Sequence, residues 1–316
     1  MTKRQKVATI FGGTGFLGRH LVQALASKGY IIRIATRHPQ KAYFLKTAGT
    51  PGQIVAQYVN YKDEVTLCKA IQGSDVVINL IGVLYEKGKQ KFDHVHRLIP
   101  AKIAEVCAQY GILQFLHVSA LGVDRSKSNY AKSKLAGEEA IRHYMPSATI
   151  IRPGLIYGPQ DDFFNRFAAM ANILPCLPLI GGGKTLFQPV YVCDVAQAMT
   201  NACDPRSQSL GQTYELTGEE IYSFKDLMLE MFACTNRPRA LVPLPWFAAR
   251  IKAFFLSILP KPPITQDQIT SLKYDNVVSG THPNLQQLGI DPTIMTSILP
   301  LYLSRFSADN TYLYEQ

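Results

Sequence analysis

The sequence predicts an α/β protein built on a doubly wound parallel sheet, with a smaller α/β appendage at its C-terminal end. Short apolar runs alternate with helical segments through the first half, which is typical of parallel strands covered by helices on both faces. The first apolar run leads straight into closely spaced glycines that open a helix. Prolines bracket an apolar segment in the last third, so a second unit of different character is expected there.

The first strand and the glycine turn after it carry the strongest signal. Residues 7–11 are apolar, and residues 16–27 have the spacing of an amphipathic helix. A dinucleotide needs this order, because glycines allow the tight turn, the approach of the pyrophosphate and the packing of the helix. The helix N-terminus would direct its free N–H groups at the phosphates. The candidate cofactor residues of this Rossmann-type turn are Gly12, Thr14, Gly15, Phe16 and Gly18.

The rest of the predicted sheet follows in order. Five further strands are expected, with helices between them, at 30–35, 54–59, 75–81, 115–119 and 149–152. The ligand of such a sheet lies outside the carboxyl ends of the strands, so the residues that directly follow a strand are the informative ones. The predicted division is a core at 1–158 that returns at about 187–204, and a smaller substrate or docking domain at 159–186 and 205–316.

The end of the second strand favours NADP(H), with NAD(H) as a possible ligand. An NAD-specific protein usually carries an acid there to bind the ribose 2′-hydroxyl, but none occurs between Tyr30 and Gly49. Arg37, with Arg19 or Lys41, could instead bind a 2′-phosphate through charge-assisted hydrogen bonds. The alternative is that Arg37 is an ordinary solvated surface charge.

The third and fourth strands end in further candidate cofactor residues. Asn60 could hydrogen-bond an adenine edge, or it could be only a turn former. The stretch from Asn79 to Gly82 would line the cofactor ribose, although a plain buried strand end has the same appearance.

The fifth strand and the helix after it hold the candidate catalytic residues Ser119, Tyr130 and Lys134. Tyr130 and Lys134 are four residues apart at the start of a helix with Ser128 or Asn129 as N-cap, so they share a face. A Lys134 ammonium beside the nicotinamide ribose could lower the pKa of the Tyr130 phenol and prepare it for proton transfer. Ser119 would bind the substrate oxygen. The alternative is an exposed helix start with a snorkelling lysine.

Taken together, these motifs resemble the extended and atypical short-chain dehydrogenases/reductases. Within them, the sequence is most similar to the NAD(P)H-binding accessory subunits of respiratory complex I and their alphaproteobacterial relatives. The stretches that carry this resemblance are Gly12-Gly13-Thr14-Gly15-Phe16-Leu17-Gly18, His117-Val118-Ser119-Ala120-Leu121-Gly122-Val123-Asp124, Tyr130-x-x-x-Lys134, Arg152-Pro153-Gly154-Leu155-Ile156-Tyr157-Gly158-Pro159, Phe187-Gln188-Pro189-Val190-Tyr191-Val192, Val192-Cys193-Asp194-Val195-Ala196 and Tyr274-Asp275-Asn276-Val277-Val278.

The resemblance implies several roles. It places the glycines, Arg37, Asn60 and Asn79 on cofactor positions and Pro153 to Ile156 against the nicotinamide, and it implies complex I subunits as partners. Two departures bear on catalysis: the segment between Ser119 and Tyr130 is short, and His96 stands where active enzymes commonly have an asparagine. Asp194 is expected to cap the helix that follows it.

The net charge, the cysteine spacing and the start of the chain predict the kinds of partner, the absence of a metal site and the location of the protein. The net charge of +10 favours anionic partners, but the basic residues are dispersed, so no nucleic-acid partner is expected. The six cysteines lack C-x-x-C spacing, so neither a metal site nor a disulfide framework is expected. The chain begins almost directly with its first strand, which favours the cytoplasm, at the cytoplasmic face of the inner membrane, or the matrix side in a processed mitochondrial protein.

The segment at 246–259 is predicted to be an amphipathic helix flanked by the cations Arg250, Lys252 and Lys261. Its aromatic residues could cover the cofactor cleft, or they could rest on an anionic membrane surface or a partner subunit. Residues 307–316 are expected to be a loose tail.

Two functions follow from these observations. The first is an NADP(H)-binding accessory or assembly component of a respiratory NADH:ubiquinone oxidoreductase. The alternative is a free NAD(P)-dependent reductase, epimerase or dehydratase acting on a sugar nucleotide, quinone precursor or isoprenoid.

Overall fold

The computed structural model describes residues 4–88, 90–256, 262 and 264–307. Its centre is a seven-stranded sheet in which every neighbouring pair is parallel. The strands of the described chain are β1 Val7–Phe11, β2 Ile31–Thr36, β3 Ile54–Tyr58, β4 Val76–Asn79, β5 Gln114–Val118, β6 Thr149–Pro153, β7 Ile156–Tyr157, β8 Cys176–Ile180, β9 Leu186–Phe187, β10 Val190–Tyr191, β11 Thr213–Leu216, β12 Tyr222–Ser223 and β13 Ala240–Leu244. The sheet order is β11-β6-β5-β4-β1-β2-β3. The strands up to β3 are added on one side of β1 and those from β4 on the other, so the strand order reverses between β1 and β4.

Helices cover both faces of this sheet. The helices of the described chain are α1 Phe16–Ser27, α2 Glu64–Ile71, α3 Ile99–Gln109, α4 Asn129–Tyr144, α5 Phe164–Ile173, α6 Val192–Ala202, α7 Phe224–Thr235, α8 Trp246–Leu256, α9 Gln266–Ser271 and α10 Met295–Leu303. Apolar residues of α1 and α6 share one buried cluster, and those of α2, α3 and α4 share the other. The apolar stripes that predict these helices are the surfaces that the sheet buries.

The predicted doubly wound sheet is confirmed. Helix α1 has the predicted bounds, and the six predicted strands lie within three residues of their expected ends. The seventh strand, β11, falls in the range assigned to the second domain, although it pairs with β6. Its four residues follow a long excursion of the chain, and so short an edge strand carries little periodicity in the sequence.

The second lobe has its own core. It is built from small strand pairs and from α5, α7 and α10, and its centre is rich in aromatic rings. Phe163, Phe167 and Phe224 pack on one another with centroid distances of 5.2 to 6.0 Å. This lobe stands beyond the carboxyl ends of the sheet strands, because β7 follows directly on β6.

Helix α8 buries its small side chains and exposes its large ones. Ala249 and Ala253 pack against α9. We call the four large exposed side chains on the opposite side the aromatic face of α8: Phe247, Ile251, Phe254 and Phe255. Of the aromatic rings that could have covered the cofactor cleft, those of Phe247, Phe254 and Phe255 are thus solvent-exposed, and Trp246 is half-buried. Residues 257–259 and Lys261 of the predicted helix, and residues 308–316 of the predicted tail, lie outside the described residues.

Asp194 does not cap α6, which begins at Val192 with no side-chain cap. The Asp194 carboxylate instead accepts hydrogen bonds from the backbone N–H and the hydroxyl of Thr293, at 2.7 and 2.9 Å. It ties α6 to the loop before α10. The sequence could not distinguish a helix cap from this contact, because only the fold brings Thr293 close to Asp194. Among the described helices, none combines the length and the apolar character that crossing a bilayer requires.

Candidate functional site

The turn between β1 and α1 brings backbone close to backbone. Gly12 has φ +81°, a conformation that L side chains rarely adopt, and its carbonyl accepts a hydrogen bond from the Gly15 N–H at 3.0 Å. A Cβ on Gly18 would lie 2.5 Å from the Gly12 oxygen, so α1 could not pack this closely with any other residue there. The first N–H groups of α1 therefore stand at the carboxyl end of β1, where a phosphate would bind.

The other residues predicted near this turn lie at the same edge of the sheet. Thr14 is in the turn itself, and Phe16 begins α1. A Cβ on Gly158 would lie 3.4 Å from the ring of Phe16, so that ring borders the segment that follows β7. Pro153 is buried at the end of β6, and Ile156 is half-buried in β7.

Arg37 follows β2 and is exposed, and no hydrogen bond or ion pair engages it within the described chain. The neighbouring candidate Arg19 is already engaged, because its guanidinium donates to Gln160 at 2.9 Å and stacks on Phe44. Among the described residues, Arg37 and the exposed Lys41 are thus the candidate cations that are free to meet a ligand here. The side chain of Asn60 accepts a hydrogen bond from the Lys62 N–H at 3.1 Å, which is the turn-forming role.

Two buried polar residues close the ends of β4 and β5. The Asn79 amide accepts from the Ile81 N–H and donates to His117 Nδ1 at 2.9 Å. The other ring nitrogen of His117, Nε2, therefore carries the proton, and it has no partner within the described chain although it is buried. Burial, with Lys134 and His96 nearby, holds the pKa of His117 well below its usual value. The neutral His117 ring therefore has a buried N–H donor, at Nε2, that lacks an acceptor among the described residues.

Ser119 and Lys134 are also incompletely paired. Ser119 is 4% exposed, and its hydroxyl oxygen is buried without a partner in the described structure. Lys134 is buried and donates one hydrogen bond, to the Val118 carbonyl at 3.0 Å. A Cβ on Gly82 would lie 3.2 Å from the Lys134 ammonium, so the strand end after β4 also borders this group. Burial lowers the pKa of Lys134 to about 8.

Tyr130 sits in the first turn of α4, whose N-cap is Ser128. Burial raises the pKa of its phenol to about 12. The direction is opposite to the lowering expected from a neighbouring ammonium, because desolvation of the phenolate by burial determines the shift. The Tyr130 hydroxyl makes no hydrogen bond with another described residue.

His96 joins two parts of the site. Its Nε2 accepts from the Val83 N–H at 3.0 Å, so Nδ1 carries the proton and donates to the Ser133 hydroxyl at 2.9 Å. Ser133 in turn donates to the Tyr130 carbonyl at 2.7 Å. Burial and the Lys134 charge lower the pKa of His96 to about 3, so the ring is neutral. His96 fixes the loop after β4 against the first turn of α4.

The second lobe reaches the same helix. The carboxylate of Asp267, in the first turn of α9, accepts hydrogen bonds from the backbone N–H groups of Asn129 and Tyr130 at 2.7 and 2.9 Å. These are two of the N–H groups that a helix start leaves unpaired, and the negative charge also suits the helix dipole. The position of Tyr130 thus depends on both lobes.

These features fit a dinucleotide. Glycines leave room for a pyrophosphate, and the unpaired Ser119 hydroxyl and the spare donors of Lys134 await a polar ligand at the strand ends. Asp267 and the unpaired nitrogen of His117 were missed by the sequence reasoning. No local signal could have found them, because the hydrogen bonds of Asp267 span 137 and 138 residues and the partner of His117 lies 38 residues away.

The similarity to known proteins agrees with this geometry. The family model described as "NAD dependent epimerase/dehydratase family" matches residues 8–216. The Arabidopsis thaliana protein "NADH dehydrogenase [ubiquinone] 1 alpha subcomplex subunit 9, mitochondrial" is 37% identical over 298 residues, which is 90% of this chain and 74% of the relative. The ceramide reductase of Caulobacter vibrioides is 32% identical over 212 residues, covering 64% of this chain and 62% of that protein.

Among solved structures, the Citrobacter triphenylmethane reductase complexed with NADP(H) superposes with a TM-score of 0.75 at 19% identity, covering 93% of this chain and 99% of that one. It shares the fold. The resemblance to the complex I accessory subunits that the motifs predict is confirmed. The chain therefore belongs to the NAD-dependent epimerase/dehydratase family.

Proposed function

We propose that this protein is an accessory or assembly subunit of a respiratory NADH:ubiquinone oxidoreductase that binds NADP(H) in its Rossmann cleft. The observation that carries the proposal is the similarity to the mitochondrial subunit 9 relative over nine-tenths of the chain. This similarity continues beyond residue 216, where the family model ends, and so includes the second lobe. A shared second lobe supports a shared partner, because this lobe is where enzymes of one fold differ in function.

The preference for NADP(H) over NAD(H) rests on the end of β2. The exposed Arg37 guanidinium is uncommitted there, and no acidic side chain occurs from residue 30 to residue 49. A 2′-phosphate would meet a cation, and a free 2′-hydroxyl would lack its usual carboxylate acceptor.

The structure also supports a structural use of the nucleotide. Efficient proton transfer needs a group whose pKa lies near the working pH, but burial raises that of Tyr130 to about 12. The first turn that carries Tyr130 is held by His96 on one side and Asp267 on the other. A bound nucleotide would add contacts at Lys134 and Ser119 and so stabilise the same region.

A free reductase is the second candidate, and two observations favour it. The chain keeps Ser119, Tyr130 and Lys134 at the strand and helix ends where this family places them, and it is similar to a ceramide reductase. In that case a bound nicotinamide supplies the hydride, Tyr130 holds the proton at its phenol oxygen, and Ser119 orients the substrate oxygen.

The aromatic face of α8 is the proposed attachment surface. Phe247, Phe254 and Phe255 are between 63% and 69% exposed, and Arg250 and Lys252 lie exposed on the same helix. Large apolar side chains with neighbouring cations fit an anionic bilayer surface. The proposed location is thus peripheral, at the cytoplasmic face of the inner membrane or the matrix side in mitochondria.

The decisive experiment uses native membranes of the source organism. The membranes are solubilised in a mild detergent, and a tagged chain is followed on a native gel stained for NADH oxidation. We expect the chain to migrate with the NADH-oxidising complex and to release NADP(H) on denaturation. Migration only as a free monomer or small oligomer would contradict the accessory role, and turnover of a ceramide-like or quinone carbonyl by that species would establish the reductase.

A further inference from the structure

Three residues from distant parts of the chain meet beside the sheet edge: Asp124 in the loop after β5, Glu215 in β11 and His282 in the segment before α10. One potential ligand atom from each lies within 4.8 Å of the other two. The segment that carries His282 is held in place by the Glu215 N–H, which donates to the Pro283 carbonyl at 2.9 Å. This backbone hydrogen bond therefore positions His282 beside Glu215.

Glu215 has no ion-pair partner among the described residues, although Arg152 lies opposite it on β6. The residue is 1% exposed. Its Oε2 accepts from the Ser279 N–H at 2.6 Å and from the Ser279 hydroxyl at 3.0 Å, whereas its Oε1 is buried with no partner among the described residues. Buried carboxylates in proteins are normally paired with a cation or bound to a metal, because desolvation of an isolated charge is costly.

The neighbouring arginines do not supply this charge. Arg152 pairs with Glu138 through two hydrogen bonds at 3.0 and 2.8 Å and donates a third to Asp124 at 3.0 Å. Arg125 lies 3.7 Å from the other oxygen of Asp124. Within the described residues, these two arginines thus form ion pairs with Asp124 and Glu138 and none with Glu215. The contact from Arg152 also fixes the orientation of the Asp124 carboxylate, as groups behind a metal ligand do.

We propose that Asp124, Glu215 and His282 bind a divalent cation of the zinc class. One imidazole and two carboxylates are ligands that Zn²⁺ accepts, and the imidazole disfavours Mg²⁺ and Ca²⁺. Tetrahedral zinc with bonds of about 2.1 Å holds its ligand atoms about 3.4 Å apart, so separations of up to 4.8 Å must contract by at most about 1.4 Å. His282 is half-buried and can move towards the fixed Asp124 carboxylate, and the exposure of Asp124 gives the ion a route of entry.

The consequence of binding would be structural. The ion would join the loop after β5, the edge strand β11 and the segment that leads to α10, and so tie the sheet to the second lobe. The sequence expectation of no metal site rested on cysteine spacing, and a site whose ligands lie 67 or more residues apart has no such spacing to detect.

The test is a zinc titration of the full chain, stripped with a chelator and competed against a chromophoric zinc indicator. We expect one zinc ion per chain, and an affinity at least tenfold lower in each of the variants Glu215→Gln, His282→Asn and Asp124→Asn. The matched control is His143→Asn, an exposed histidine on α4 outside the cluster, which should bind as the parent does. Circular dichroism establishes that each variant is folded, and Asp124→Asn changes an exposed side chain, so one variant remains informative if burial makes the others unstable.

Cobalt(II) substitution identifies the ligands, because six free thiols are the competing site. We expect visible bands of a nitrogen- and oxygen-ligated ion without the intense thiolate-to-metal charge-transfer band. That band, or unchanged zinc affinity in folded variants, would overturn the proposal. A folded protein that binds no stoichiometric zinc would also overturn it.

Discussion

Replacing Arg152 by methionine is expected to destabilise the protein strongly, and replacing its partner Glu138 as well is expected to recover much of the loss. The two side chains are 8% and 6% exposed and join β6 to α4 through hydrogen bonds of 3.0 and 2.8 Å. Within the described chain, Glu138 has no other hydrogen-bond partner. Helix α4 carries Tyr130 and Lys134, so this pair holds the helix on which the candidate site depends.

The magnitude follows from what each variant leaves behind. Arg152→Met leaves the buried Glu138 carboxylate without its hydrogen-bonded counter-ion, so that only Lys134 acts on it, through space; this loss costs about 3–5 kcal/mol. Glu138→Gln costs less, roughly 1–3 kcal/mol, because Arg152 keeps its contact with Asp124 at 3.0 Å. Arg152→Met combined with Glu138→Leu removes both charges and fills the volume with apolar atoms, an exchange that is often close to neutral.

Urea unfolding followed by circular dichroism measures these differences. The matched control is Arg206→Met, because Arg206 and Asp204 form an exposed pair at 2.7 Å whose loss should leave the urea midpoint unchanged. A double variant as unstable as Arg152→Met alone would refute the reasoning, since the loss would then come from packing and not from an unpaired charge. A change below about 1 kcal/mol in Arg152→Met would refute it equally.

Four further predictions concern the site and its surroundings. Arg37→Ala should remove the preference for NADP(H) over NAD(H) by weakening NADP(H) binding about 10- to 100-fold, as calorimetry would show; equal affinities in the parent would contradict the assignment. Tyr130→Phe should leave nucleotide affinity nearly unchanged and abolish any reductase activity, while NADH oxidation by the complex persists. Loss of that oxidation with normal assembly would show that the Tyr130 phenol has a catalytic role and would contradict a structural role of the protein. Replacing Phe254 and Phe255 by serine should release the protein from anionic vesicles in sedimentation at low salt without weakening the nucleotide, and retention would show that the aromatic face of α8 is not the attachment surface. Asp267→Ala should cost about 1 kcal/mol and increase hydrogen exchange in the first turn of α4, whereas unchanged exchange would mean that Ser128 alone suffices as the cap.

The sheet could be predicted from sequence because local patterns specify it. The apolar run, the glycine spacing and the amphipathic stripe of α1 are contained within 21 residues, from Val7 to Ser27. Strand β11 could not be placed this way, because its pairing with β6 is a contact between residues more than 60 apart. The exposure of the aromatic residues of α8 could not be predicted for the same reason, because it depends on which distant residues pack against the helix.

For the candidate site, the sequence predicts the positions of the residues better than their pKa values and hydrogen bonds. Ser119, Tyr130 and Lys134 follow β5 or begin α4 as the motif predicts. The rise in the pKa of Tyr130 could not be predicted, because it results from burial, and the rings of Phe92 and His96 that contact the phenol come from a distant part of the chain. His96 likewise has the expected position but a role that is visible only from its bonds to Val83 and Ser133.

The cap that α9 supplies to α4 has a thermodynamic consequence. Helix α9 packs against α8 on one side and places Asp267 on the helix of Tyr130 on the other. A partner that shifts α9 when it binds α8 therefore alters the cost of ordering α4, and with it the affinity for the nucleotide. Linkage requires the reverse effect by the same factor, so nucleotide occupancy would set how tightly the protein is attached. Under the proposed function, the cellular nucleotide would then act as a signal for assembly without any turnover.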